Sequence, residues 1–278
     1  MAVNPPAGED ALIFTFPAGA IDLKKTFTCG QCFRWRETAP GEYLGVAGGR
    51  AAVARKQGES VTLSGQGDGA FWRRYFDLGR DYAGASAQFL ATGGYLRLCA
   101  QYGAGIRILR QDAWETLVSF ILSQCSNIPR IQKSVAALCG AYGAPIDFCG
   151  RRLRAFPAPA RLAGLEEEDL APLRLGYRAP YVLAAARAVR DGDLDLDALA
   201  RSDRETAVAR LEQLPGVGPK VANCVALYGL HMGDCFPVDT WMRRALKAHF
   251  PPDFDPKSLG EFAGLAQQYI FYYARSAR

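Results

Sequence analysis

The string Leu214-Pro215-Gly216-Val217-Gly218-Pro219-Lys220 constrains this chain more than any other stretch. Two glycines around one apolar residue permit a tight hairpin and remove side chains that would block close approach. Pro219 suits the first turn of a helix, where its missing N–H costs little. Arg204 to Gln213 ahead of the hairpin and Pro219 to Tyr228 behind it read as helices, so the segment reads as helix–hairpin–helix. The hairpin amides of Gly216, Val217 and Gly218, added to the free amides of the next first turn, make a site for a phosphate oxygen.

The rest of the chain divides into two patterns. Residues 11–16, 31–36, 42–46, 51–56 and 60–63 are short segments with alternating or β-branched character, separated by turn signals such as Ala39-Pro40-Gly41 and Gly48-Gly49. The spacing leaves no room for crossover helices, so the sheet is expected to be antiparallel. From about Phe71 the period becomes helical. Trp114, Leu117, Val118 and Ile121 share one face behind an N-cap at Asp112, and Ser134, Ala137, Leu138 and Tyr142 share another. Further helices are expected at Pro180 to Arg190, Thr240 to Lys247 and Leu259 to Arg275. The fold expected is α+β: an N-terminal antiparallel β-sheet subdomain over 1–105, then a two-part helical body over 106–278 that carries the hairpin motif near 204–228 and a last helix near 259–275.

Composition narrows the function classes. A chain of 278 residues with 49% hydrophobic and 22% charged residues can bury sizeable cores and is not disordered. The net charge of +5 is compatible with a nucleic-acid partner without requiring one. Eight scattered cysteines and no signal peptide in Met1 to Asp10 point to free thiols in a reducing, cytoplasmic setting, nucleoid-associated in a prokaryote. Cys29 and Cys32 form a CxxC with no second pair at zinc-ribbon spacing. Only His231 and His249 are available as histidine ligands, and no cysteine follows Cys235, so no metal site is expected. No apolar run is long enough for a bilayer.

Two residues carry chemistry. Lys220 sits at a helix N-terminus, where the dipole disfavours a cation and so favours the neutral, nucleophilic amine. An amine so placed can attack a sugar C1′ as a base departs, leaving a Schiff base. Asp239, after Phe236-Pro237-Val238, offers a carboxylate to support the developing positive charge. Taken alone, Asp239 reads equally as the N-cap of the following helix, and Lys220 as a phosphate contact.

These residues, together with Thr28-Cys29-Gly30-Gln31-Cys32-Phe33-Arg34-Trp35, resemble the helix–hairpin–helix Gly/Pro-Asp superfamily of DNA glycosylases, and within it the 8-oxoguanine DNA glycosylases, over nearly the whole chain. The resemblance implies Lys220 as nucleophile and Asp239 as catalytic acid. It implies the Gly30 carbonyl as acceptor for the N7–H that distinguishes 8-oxoguanine from guanine. Cys224 and Phe271 would sandwich the flipped base, and Gln267 would read its pairing edge. Tyr177 would wedge into the stack, with Arg178 and Arg130 donating to the orphaned cytosine, and Asn127 would lie close by. Gly216, Val217, Gly218 and Trp241 would face phosphate.

Two positions depart from the family pattern. Cys125 stands where an asparagine lies beside the orphaned cytosine, so that contact falls to Gln124, Ser126 or Asn127, or is absent. Trp241 stands where many relatives carry a phosphate-contacting histidine. The reading is a bifunctional glycosylase and lyase acting as a monomer on damaged double-stranded DNA, with no membrane partner. Its chemistry needs no cofactor, although the resemblance allows a monovalent cation at the hairpin carbonyls. Two alternatives stand beside it: a same-fold glycosylase for another damaged purine, and a non-catalytic helix–hairpin–helix DNA-binding protein.

Overall fold

The computed structural model describes residues 12–276, so Met1 to Ala11, including the first residue of the expected strand 11–16, lie outside them. Strand β1 (Leu12–Pro17) leads into helix α1 (Leu23–Thr28), capped by Asp22, whose carboxylate accepts from Lys25 N at 2.9 Å. Strands β2 (Arg36–Ala39), β3 (Glu42–Ala47), β4 (Arg50–Gln57) and β5 (Ser60–Gly65) complete an antiparallel sheet of order β1-β5-β4-β3-β2. Its inner face closes over an aromatic core. Phe27 stacks on Trp35 at 4.3 Å, and Trp72 and Phe76, in and just after α2 (Gly69–Tyr75), meet them at an angle. Gly45 makes that packing possible, because a Cβ there would fall 2.2 Å from the Trp35 ring.

One expected strand is absent. Residues 31–36 do not form a strand; β2 begins only at Arg36, and residues 29–35 cross the molecule as irregular chain. The physical reason is a buried side chain. Gln31 donates to the carbonyls of Thr26 (3.0 Å) and Arg107 (2.7 Å) and accepts from Leu109 N (2.8 Å). Those bonds satisfy the buried Gln31 amide together with backbone groups of Thr26, Arg107 and Leu109, and so anchor the segment in the interior rather than in a ladder.

The helical body begins with α3 (Tyr82–Thr92) and α4 (Gly94–Gly103), which pack on the C-terminal helix and not on the sheet. Then come α5 (Ala113–Leu122) and α6 (Ile128–Tyr142), the latter followed by a β-hairpin, β6 (Pro145–Phe148) with β7 (Arg151–Arg154), that sequence pattern did not reveal. Two short helices, α7 (Pro159–Ala163) and α8 (Glu167–Leu170), precede α9 (Ala179–Arg190), α10 (Leu196–Ala200) and α11 (Arg204–Leu211). Three longer ones follow: α12 (Pro219–Tyr228), α13 (Thr240–His249) and α14 (Ala263–Ser276).

Asp112 caps α5 as expected, accepting from Glu115 N at 2.8 Å, and Trp114, Leu117, Val118 and Ile121 are buried. In α6 the inner face is Ile131, Val135, Leu138 and Cys139; Ser134 and Ala137 sit at its margin, one step round the helix from the expected stripe. The last helix starts at Ala263, not Leu259, because Gly260 (φ 56°) breaks the backbone and leaves 256–262 as 3-10 turns. No helix among the described residues is long and apolar enough to cross a membrane.

Candidate active site

Helix α12 supplies the axis of the site. Lys220, Cys224 and Tyr228 lie four residues apart and so share one face. Opposite them stands Phe120 of α5, which stacks on Tyr228 at 5.5 Å and has the Lys220 amine 4.9 Å over its ring. The amine donates to Ser123 Oγ at 3.2 Å, and that hydroxyl in turn donates to the Phe120 carbonyl at 2.7 Å. Asp239 caps α13, accepting from Met242 N at 2.8 Å. Burial pushes the Cys224 thiol up to about 11, against the pull of nearby Lys220 and with a further push from Asp239. Cys224 therefore lies within electrostatic reach of both, and its thiol is neutral and uncharged at physiological pH.

The hairpin behaves differently at its two glycines. Gly216 has φ +77°, and a Cβ there would meet the Tyr181 ring at 2.2 Å, so glycine is required twice over. Gly218 is extended at the N-cap of α12, and a Cβ on it would meet nothing within 4 Å. Only Gly216, of the two hairpin glycines, adopts a backbone closed to other residues. Val217 is buried, and its amide donates to the Leu214 carbonyl at 3.1 Å, holding the turn. The Leu214 and Gly216 carbonyls already accept from Val217 N and from Gln124 Nε2 (2.9 Å).

Gly30, Phe271 and the C-terminal helix meet on the far wall. Gly30 has φ +95°, and a Cβ there would stand 3.0 Å from Ile128 Cδ1 and 3.4 Å from Phe271 Cε1. Gln267 is buried one turn before Phe271, with its Oε1 3.4 Å from the Tyr228 hydroxyl. That hydroxyl also lies 2.6 Å from Gln268 Oε1, its shorter contact. The structure therefore gathers Gly30, Gln267 and Phe271 from opposite ends of the chain, and brings Tyr228 of the α12 face to them.

On the other side of Lys220, the turn 123–127 meets the loop 176–178. Tyr177 is 50% exposed and has the Arg178 guanidinium 4.5 Å over its ring. Arg178 is only 9% exposed and donates to the carbonyls of Gln124, Leu175 and Cys125. It braces the turn; of the two arginines expected to face an orphaned cytosine, only Arg130 has an exposed side chain. Asn127 caps α6, its Oδ1 accepting from Arg130 N at 3.0 Å. Cys125 is exposed with φ +47°, a left-handed backbone uncommon outside glycine and asparagine. Trp241 sits in the first turn of α13, with the Arg244 guanidinium 5.9 Å over its ring.

The lysine at the start of the hairpin helix, the capping aspartate and the Gly30–Phe271 contact lie on a fold shared with known proteins. Residues 118–261 match the profile of HhH-GPD superfamily base excision DNA repair proteins, and residues 13–117 that of the 8-oxoguanine DNA glycosylase N-terminal domain. The chain belongs to the HhH-GPD superfamily. Its paired domains make it a DNA glycosylase of the glycosylase/lyase kind. It is 30% identical to the Arabidopsis thaliana N-glycosylase/DNA lyase OGG1, over 90% of this chain and 76% of that protein. Among solved structures, MBOgg1 in complex with a low-affinity DNA ligand matches with TM-score 0.89 and 36% identity, covering 100% of this chain and 99% of that one. The Clostridium acetobutylicum 8-oxoguanine glycosylase/lyase, in complex with double-stranded DNA containing cytosine opposite 8-oxoguanine, matches this HhH-GPD chain with TM-score 0.89 and 34% identity, covering 97% of each.

The sequence missed Ser123, Gln268 and Arg275, and it offered Gln124 only as a cytosine contact, whereas its amide bonds the Gly216 carbonyl. Only Ser123 carried any local signal, as the first residue after an apolar helix; the others are ordinary polar residues until the fold brings them to the site.

Proposed function

We propose that this glycosylase removes 8-oxoguanine opposite cytosine from double-stranded DNA and then cuts the strand. The observation that carries the proposal is Lys220 at the open end of α12, held by Ser123, with Asp239 and Cys224 beside it and the Gly30–Phe271 wall beyond. The amine attacks C1′ of the extruded nucleotide while the glycosidic bond electrons leave with the base. Asp239 stabilises the positive charge that develops on the sugar. Loss of an amine proton and ring opening give a Schiff base, and removal of a C2′ proton then expels the 3′ phosphate by β-elimination.

Recognition follows from polarity. A carbonyl at Gly30 accepts the N7–H of 8-oxoguanine and repels the N7 lone pair of guanine. Cys224 and Phe271 enclose the base, and Gln267 meets its pairing edge. Tyr177 occupies the gap left in the stack, and Arg130 donates to cytosine. Gly216 shapes the hairpin, while the amides of Gly218 and of the first turn of α12 hold phosphate with Trp241 nearby. The protein works as a monomer in the compartment that holds the DNA.

Borohydride trapping tests this. A duplex with one 8-oxoguanine opposite each base in turn is incubated with wild type and Lys220→Gln. A covalent adduct is expected with wild type alone, strongest opposite cytosine. No adduct with any partner base would make Lys220 a phosphate contact and overturn the proposal.

A further inference from the structure

The turn that carries Gly30 is bonded in an unusual way. Its carbonyls are taken up one after another by side chains, several of them distant in sequence. Thr26 O accepts from Gln31 Nε2 at 3.0 Å, and Thr28 O from Arg275 Nη2 at 2.8 Å. Cys29 O accepts from Gln268 Nε2 at 3.1 Å, and Gln31 O from Gln111 Nε2 at 2.8 Å. Among the described residues no hydrogen bond falls on the Gly30 carbonyl. The Arg275 guanidinium also lies 5.4 Å over the Phe271 ring and 3.6 Å from where a Gly30 Cβ would stand.

The pattern matters because a glycine at φ +95° is the residue most free to rotate its peptide plane. The Gly30–Gln31 plane presents a C=O in one orientation and the Gln31 N–H in the other. The first accepts from an N7–H; the second would donate to an N7 lone pair. A flip of this one plane would turn a reader of 8-oxoguanine into a reader of guanine. The planes on either side are both pinned, by Gln268 on Cys29 O and by Gln111 on Gln31 O. Gln268 is itself oriented, because its Oε1 accepts from the Tyr228 hydroxyl.

We infer that Arg275, through Thr28 O, and Gln268, through Cys29 O, are positioning residues that hold the backbone leading into Gly30, keep its carbonyl toward the base and so set discrimination between 8-oxoguanine and guanine. This rests on the lesion assignment proposed above. Neither residue is needed to act on an abasic site, where no base meets Gly30, so the two roles separate experimentally.

The test uses the full chain with Arg275→Met, Arg275→Lys and Gln268→Met. In a Lys220→Gln background, which prevents turnover, equilibrium binding is measured to duplexes with one 8-oxoguanine:cytosine pair or guanine:cytosine in its place. In the Lys220 background, β-elimination is measured on a duplex with one abasic site. Arg275→Met and Gln268→Met are expected to lower the 8-oxoguanine to guanine affinity ratio by about tenfold, the effect of one hydrogen bond to a preorganised group. Arg275→Lys, which keeps a donor, recovers part of the ratio. Abasic-site cleavage stays at the wild-type rate. Variants that keep the full ratio overturn the inference and leave the lesion assignment standing. Variants that lose abasic-site cleavage in step with the ratio are structurally damaged, and that also overturns a positioning role. A parent protein that binds both duplexes alike overturns the lesion assignment and the inference with it.

Discussion

Two turns flank Lys220, the proposed nucleophile, and they are built on opposite plans. The turn at 28–31 is sunk into the molecule. Cys29 and Gln31 are fully buried, and side chains from α14 and from the segment before α5 bond its carbonyls. The turn at 123–127 is open. Cys125 and Asn127 are exposed, and the turn is held from behind by Arg178 on its carbonyls and by Gln124 reaching Gly216. One turn is fixed by hydrogen bonds on its backbone; the other presents exposed side chains that can adjust. Under the function proposed above, reading the lesion is a matter of preorganisation, whereas reading the partner strand is left to a surface with few fixed groups.

The largest break in this contrast should come from Gly30→Ala. The methyl group would strain a positive φ and press on Ile128 and Phe271. Single-turnover excision of 8-oxoguanine is expected to fall by about a hundredfold, with abasic-site cleavage nearly unchanged. An equal loss of both activities would show that the turn is merely structural.

Removing the brace on the other turn should act more broadly and less strongly. Arg178→Ala leaves three backbone carbonyls short of a donor and loosens both Tyr177 and the turn. Excision should drop by about tenfold, by a similar factor opposite every partner base. A loss confined to cytosine would instead make Arg178 a base reader. Cys125→Asn should have a smaller and more selective effect. Asparagine tolerates the left-handed backbone and adds an amide, so the preference for cytosine over adenine opposite the lesion should rise by about threefold. Discrimination between 8-oxoguanine and guanine should not move.

The smallest effect concerns stability and should leave both turns alone. His231, at the far end of α12, is held down to about 4, chiefly by burial and also by Arg110. The unfolded chain binds a proton there near the ordinary histidine value, so the folded state loses stability as pH falls from about 6.5 toward 4. The loss is complete only below the folded value. Thermal melts should show His231→Asn shallower than wild type between pH 7 and 5, by about 1–2 kcal/mol at the acid end. Identical slopes would mean that other groups control the acid limb.

Much of this was legible in the sequence for local reasons. Four of the five expected sheet strands exist, and Asp112 and Asp239 are caps because a carboxylate before an amphipathic run meets free amides wherever it occurs. The hairpin was readable because Gly216 has no substitute. What failed was also instructive. Residues 31–36 alternate like a strand, yet Gln31 is a buried anchor whose partners, Arg107 and Leu109, lie more than seventy residues away. The inner face of α6 was misjudged by one step, since its periodicity shows a stripe but not what packs against it.

Local sequence is enough to specify the helix–hairpin–helix, the lysine at its exit and the carboxylate that caps the next helix, because each depends on residues close together in the chain. Packing settles which carbonyl of the 28–31 turn stays unbonded, and it makes Arg178 a brace. Those outcomes depend on donors contributed by Gln111, Gln268 and Arg275, and on acceptors in the 123–125 turn. A hydrogen bond between groups distant in sequence exists only once packing has brought them within 3 Å or so, and no local pattern records it.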